Sequence, residues 1–153
     1  MNGHEFLLSK SNFKKRWSSF LFWITIYFPA DGCHNYSILS NADRKSTYVT
    51  PYLSDGVCDS SLHEGWYRFV GAAGTKMPTT SVDDYRCNTA RSGWLNGAEP
   101  TEGDGEVEGK VCFTRGANTC RNSIKILIKN CGSYFIYKLV PPPACNYRYC
   151  GTD

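Results

Sequence analysis

The sequence predicts an all-β fold, a small, disulfide-rich, β-sandwich-like domain with four intradomain disulfides. Three observations lead there. Turn-forming residues punctuate the chain roughly every ten positions, and the intervening segments are short and rich in β-branched and aromatic residues. All eight cysteines fall between Cys33 and Cys150, the density of a secreted domain stapled by crosslinks. No heptad, internal repeat or sustained helical pattern occurs after the first thirty residues.

The elements follow in order. Lys14, Lys15 and Arg16 precede an apolar and aromatic stretch over residues 17–28, which Pro29, Ala30, Asp31 and Gly32 interrupt. A basic flank, about 12 apolar residues and a small-residue exit describe a secretory signal peptide. We assign it to residues 1–30, with cleavage expected near 28–32. A membrane span needs about 20 apolar residues, so stable membrane insertion is not expected. The domain then occupies residues 31–153. Residues 66–70 and 107–113 read as strands from their β-branched and aromatic content. The clearest strand is 123–129, where Ile124, Ile126 and Ile128 alternate with Lys125 and Lys129 and so present one apolar and one solvated face. Asn130, Cys131 and Gly132 interrupt it, and 134–139 returns as the second arm of a hairpin. Pro141, Pro142 and Pro143 cannot donate ladder hydrogen bonds, so the last segment leaves the sheet as an extended strap.

Charge removes one function class. The chain carries 17 basic and 14 acidic residues, a formal +3. Lys10, Lys14, Lys15 and Arg16 against Glu5 place that surplus in the leader, so residues 31–153 are formally neutral. Nucleic acid is therefore not an expected partner, since it requires a clustered basic face.

The stretches from Cys58 to Cys150 carry a resemblance. Cys58-Asp59, the run over 65–79, Cys87-Asn88-Thr89, Trp94-Leu95-Asn96-Gly97, Cys131-Gly132 and the run over 141–150 resemble the cysteine-rich decoy-module domain of the uromodulin-like family. Cys33 and the six residues after it, His34 to Leu39, fit the same domain's opening. Eight cysteines allow 105 pairings from spacing alone. The resemblance implies Cys33–Cys131, Cys58–Cys145, Cys87–Cys150 and Cys112–Cys120, and it implies that Thr80 and Thr119 stand where relatives carry a further pair. It also implies extracellular recognition, with N-linked glycan offered to mannose-binding adhesins beside a separate polymerising module. Polymerisation by this chain is not implied. At the family's glycan positions this chain reads Lys138-Leu139-Val140 and Asn96-Gly97-Ala98, neither of which is an acceptor. Asn35-Tyr36-Ser37 alone fits the N-x-S/T acceptor pattern, so Asn35 is the candidate glycosylation site.

Other chemistry is weighed from the residues. Structural zinc draws on close cysteine pairs. The closest spacings here are Cys145–Cys150 and Cys112–Cys120, and secretion favours disulfides, so zinc is not expected. Glu102, Asp104 and Glu106 sit in a glycine-rich stretch that offers oxygen ligands, yet they miss the EF-hand spacing; a calcium-dependent lectin is the alternative reading. His34 and His63 are the histidines of the domain and no nucleophile signature accompanies them, which leaves a secreted hydrolase as the further alternative. No cofactor is expected. Among the aromatics, Trp66 with Arg68 and Trp94 with Asn96 are the candidate ligand surface. The expectation is a secreted, non-catalytic recognition module whose partner is an extracellular protein or glycan.

Overall fold

The computed structural model describes residues 32–51 and 56–153. The leader assigned to 1–30 lies outside them. Seven strands make up the fold: β1 (Ser37–Leu39), β2 (Gly65–Phe69), β3 (Arg91–Leu95), β4 (Glu106–Arg115), β5 (Asn118–Asn130), β6 (Phe135–Leu139) and β7 (Tyr147–Tyr149). Four three-residue 3-10 turns are the helical elements among the described residues.

The sandwich-like layering takes the form of one curled sheet in the order β1-β2-β6-β5-β4-β3-β7, with an apolar cluster on each face. β4, β5 and β6 form an antiparallel meander, extended by β2 beside β6 and by β3 beside β4. The two outermost strands, β1 and β7, join in parallel. The pleat sends alternate residues to opposite faces. Tyr67, Phe69, Leu95, Val111, Phe113, Ile126, Ile128, Tyr137 and Tyr149 thereby meet in the main core. Ala73 and Met77 cover it from the loop after β2. The buried Tyr137 hydroxyl donates to Glu99 Oε1 (2.6 Å) and accepts from the Met77 backbone N–H (3.0 Å). Burial, with the Glu99 carboxylate beside it, drives that phenol's pKa far up.

On the opposite face lies a second cluster of Val82, Cys87, Trp94, Cys112 and Cys150. It is built largely from crosslinks. The structure joins Cys33 to Cys131, Cys58 to Cys145, Cys87 to Cys150 and Cys112 to Cys120, the same four pairs that the family resemblance implies. Gly93 of β3 is dictated by close approach: a β-carbon there would stand 2.8 Å from the Arg148 carbonyl and from the Phe113 ring.

The outer side of β7 is closed by an ion pair. Arg44 (4% exposed) and Asp59 (2% exposed) make a bidentate bridge at 2.6 and 2.8 Å. Asp59 Oδ2 also accepts the Tyr149 N–H at 2.8 Å, and Arg44 Nη1 donates to the Tyr149 carbonyl at 3.0 Å. The Asp59 N–H donates to the Tyr147 carbonyl. Together these groups supply what a further strand would have supplied. The proline strap leaves the sheet, and the Tyr149 hydroxyl ties it down through the Val140 carbonyl at 2.7 Å.

Candidate functional site

The candidate residues divide between two ends of the sheet. Trp66 and Arg68 are two apart on β2 and share its outer face, the face away from Tyr67 and Phe69. Trp66 lies half-buried over Gly32 and Ile136, so close that a β-carbon on Gly32 would stand 2.9 Å from the indole. Arg68 enters an aromatic stack. Its guanidinium carbon lies 3.8 Å from the Tyr134 ring centroid and 5.8 Å from that of Tyr36, within cation–π range. Arg68 Nη1 donates to the Tyr36 hydroxyl at 3.0 Å, and this bond lowers the Tyr36 phenol's pKa. The two rings are 5.6 Å apart, tilted by 59°. The Tyr134 hydroxyl donates to the Cys33 carbonyl at 2.6 Å.

Tyr36 and Tyr134 were not among the candidates drawn from the sequence. A signal for them was present: each lies three residues beyond one half of the implied Cys33–Cys131 bridge, which sets the two rings side by side. The same bridge anchors the candidate acceptor. The 3-10 turn Gly32–His34 ends in a hydrogen bond from the Asn35 N–H to the Gly32 carbonyl (3.2 Å), and β1 begins two residues later. Asn35 and Ser37 are both exposed. The exposed Asn35 side chain thus stands on a base fixed by a disulfide, an aromatic stack and a sheet edge.

Trp94 and Asn96 are elsewhere. Four inter-strand steps separate β2 from β3, about 20 Å at the usual spacing, so the four residues form no single surface. Trp94 is not available to a ligand. It is 8% exposed, packs in the disulfide cluster, and its Nε1–H donates to the Thr119 carbonyl at 2.9 Å. The sequence suggests a turn at this point, but Trp94 lies in β3, on a face that the crosslinks cover. Asn96 is exposed, with its backbone N–H held by the Lys110 carbonyl.

The acidic candidates do not converge. Asp104 closes the turn Glu102–Asp104, its Oδ2 accepting from the Thr101 N–H and hydroxyl, both at 2.7 Å. Those bonds lower its pKa. Glu106 has already entered β4. Among the described residues, no three histidine, cysteine or acidic side chains are grouped so as to hold a metal ion. His63 is exposed, and its carbonyl accepts the Tyr67 hydroxyl (2.8 Å). Among the described residues, no helix is long and apolar enough to cross a membrane.

Comparison with known proteins identifies relatives of this arrangement. A family model described as a uromodulin-like domain matches residues 67–151. The chain is 44% identical over 127 residues to the pancreatic secretory granule membrane major glycoprotein GP2 of Rattus norvegicus, covering 80% of this chain and 23% of that protein. It is 42% identical over 124 residues to uromodulin of Mus musculus, covering 80% of this chain and 18% of that protein. Identity to the Homo sapiens pancreatic glycoprotein is 40% over 121 residues, covering 78% and 22%. The chain thus spans about a fifth of the length of these relatives.

Proposed function

Because this chain belongs to the uromodulin-like domain family, we propose that it is a secreted, non-catalytic recognition module acting by display. A crosslinked β-scaffold holds Asn35, and the N-glycan it carries, toward an extracellular partner. One observation carries the reading. The chain's single acceptor pattern is exposed at Asn35 and Ser37 and stands beside the Tyr36–Arg68–Tyr134 stack. The positions where the family resemblance implies glycan read Lys138-Leu139-Val140 and Asn96-Gly97-Ala98 here, so display moves to the β1 edge. A rigid attachment lowers the ordering cost that a partner meets on binding. The stack adds a half-exposed aromatic and cationic surface next to the sugar, of the kind enriched in binding hot spots. The relatives are named as a membrane glycoprotein of secretory granules and as uromodulin, which supports the extracellular setting.

The test uses the full chain produced in secretory cells, before and after enzymatic removal of N-glycan, on an immobilised glycan array and with a mannose-binding adhesin. The expected result is no array binding in either state and adhesin capture that disappears with the sugar or in Asn35→Gln. Array binding that persists without the sugar would show a protein that reads glycan rather than one read through it, and would overturn the display mechanism.

A further inference from the structure

We propose that residues 79–81 carry mucin-type O-glycan, with the Thr79, Thr80 and Ser81 hydroxyls as acceptors for an N-acetylhexosamine. Thr79-Thr80-Ser81 is the one run of three consecutive serine or threonine residues in the sequence, and all three are exposed. Their hydroxyls have no hydrogen-bond partner among the described residues, nor do the backbone groups of 79–83. Several hydroxyls elsewhere are engaged: Thr101 bonds Asp104, Ser60 contacts Cys58 Sγ, Thr50 bonds the Thr89 carbonyl and Ser92 bonds Arg86.

The segment is held at both ends and open in the middle. At one end the Leu95 N–H donates to the Pro78 carbonyl at 2.8 Å, and at the other Asp84 Oδ2 accepts the Gly116 N–H at 2.8 Å. Val82 turns inward to the disulfide cluster. The hydroxyls are left along a groove of about 550 Å³ bordered by Ser46, Thr47 and Thr152, which is room for attached sugar. Pro78 holds the entry extended, and proline beside serine and threonine is the composition of O-glycosylated segments. A backbone that bends at Thr79 and Thr80 and stays outside the sheet ladder is open to a transferase cleft.

The chemistry needs one co-reactant, a nucleoside-diphosphate-activated N-acetylhexosamine. A bond forms between a threonine or serine Oγ and the sugar's anomeric carbon. The bond from that carbon to the phosphate oxygen breaks, the nucleoside diphosphate leaves with the electron pair, and the hydroxyl proton passes to solvent. Phosphorylation of the same hydroxyls is disfavoured. It would place about two further negative charges beside Asp83 and Asp84, where Arg86 Nη2 already stands 3.9 Å from Asp83 Oδ2. A neutral sugar adds no such repulsion.

The inference rests on passage through the secretory pathway and is independent of what Asn35 displays, so either can fail alone. The full chain is recovered from secretory cells, stripped of N-glycan, and its peptide spanning 77–86 is sequenced by electron-transfer fragmentation. In parallel, purified folded chain is incubated with the uridine-diphosphate sugar and a polypeptide N-acetylgalactosaminyltransferase. The expected result is N-acetylhexosamine increments on Thr79, Thr80 or Ser81 in both arms, lost in T79A/T80A/S81A and kept in T47A. An unmodified peptide in both arms, or phosphate in place of sugar, would overturn it.

Discussion

At the scale of single residues, the consequential side chains are those that meet a backbone edge. Arg44 and Asp59 are a buried ion pair, and such pairs are often replaceable by apolar residues of similar volume. Here that exchange also orphans the Tyr149 N–H and carbonyl, which the pair serves. Asp59→Ala is expected to cost about 3–5 kcal/mol, and Arg44→Met/Asp59→Leu to remain destabilising, read by urea unfolding. Trp94→Phe removes one of two donors on the Thr119 carbonyl, the Thr114 hydroxyl remaining at 3.2 Å, at a cost of about 0.5–1.5 kcal/mol. It is expected to leave adhesin capture unchanged, because the indole lies inside the disulfide cluster. Asp43 shapes the acid limb. Burial raises its pKa, but the Arg148 guanidinium (3.0 Å) and the Asn88 amide (2.7 Å) outweigh that and hold it below the ordinary carboxylate value. A depressed folded pKa stabilises above the unfolded value of about 3.9, and the benefit is lost as pH falls through the folded value. As pH falls below the ordinary carboxylate value of about 3.9, chemical denaturation should therefore show a shallower loss of stability in Asp43→Asn than in the parent.

At the scale of elements, legibility follows the length of the local pattern. β2, β4, β5 and β6 can be read from the sequence because each gathers several β-branched or aromatic residues, which in β5 also alternate, as Ile124, Ile126 and Ile128. β1 and β7 have three residues each and pair in parallel with strands far along the chain, so nothing local marks them. β3 escapes for a different reason. Gly93 weakens its strand pattern, yet glycine is what lets the Arg148 carbonyl of β7 approach. Gly93→Ala is expected to destabilise by about 1–3 kcal/mol through overpacking, measured as a lowered denaturation midpoint. The site shows the same division. Trp66 and Arg68 are legible as a pair because two-residue spacing puts them on one face, whereas the burial of Trp94 depends on which face the Cys87–Cys150 and Cys112–Cys120 crosslinks cover. Alternation reports faces but not what lies on them. The Tyr36–Arg68–Tyr134 stack joins residues far apart in the chain, and only the disulfide pairing connects them.

At the scale of the whole molecule, the four crosslinks differ in accessibility. Cys145 is exposed and Cys58 half-buried, whereas Cys87 and Cys150 are fully enclosed. Partial reduction followed by alkylation and peptide mapping should open Cys58–Cys145 first and Cys87–Cys150 last, since exchange requires access to sulfur. Simultaneous opening of all four would contradict this order. The two margins of the sheet differ as well. β7 is sealed by Arg44 and Asp59, whereas no described strand pairs with the outer side of β1, where Ile38 is 60% exposed. Fibril growth by strand addition needs two free margins on every subunit, one to accept and one to offer. A subunit with one free margin terminates the series at a pair. The buried salt bridge thereby withholds β7 from strand addition and leaves β1 as the margin of the described sheet that is open to it.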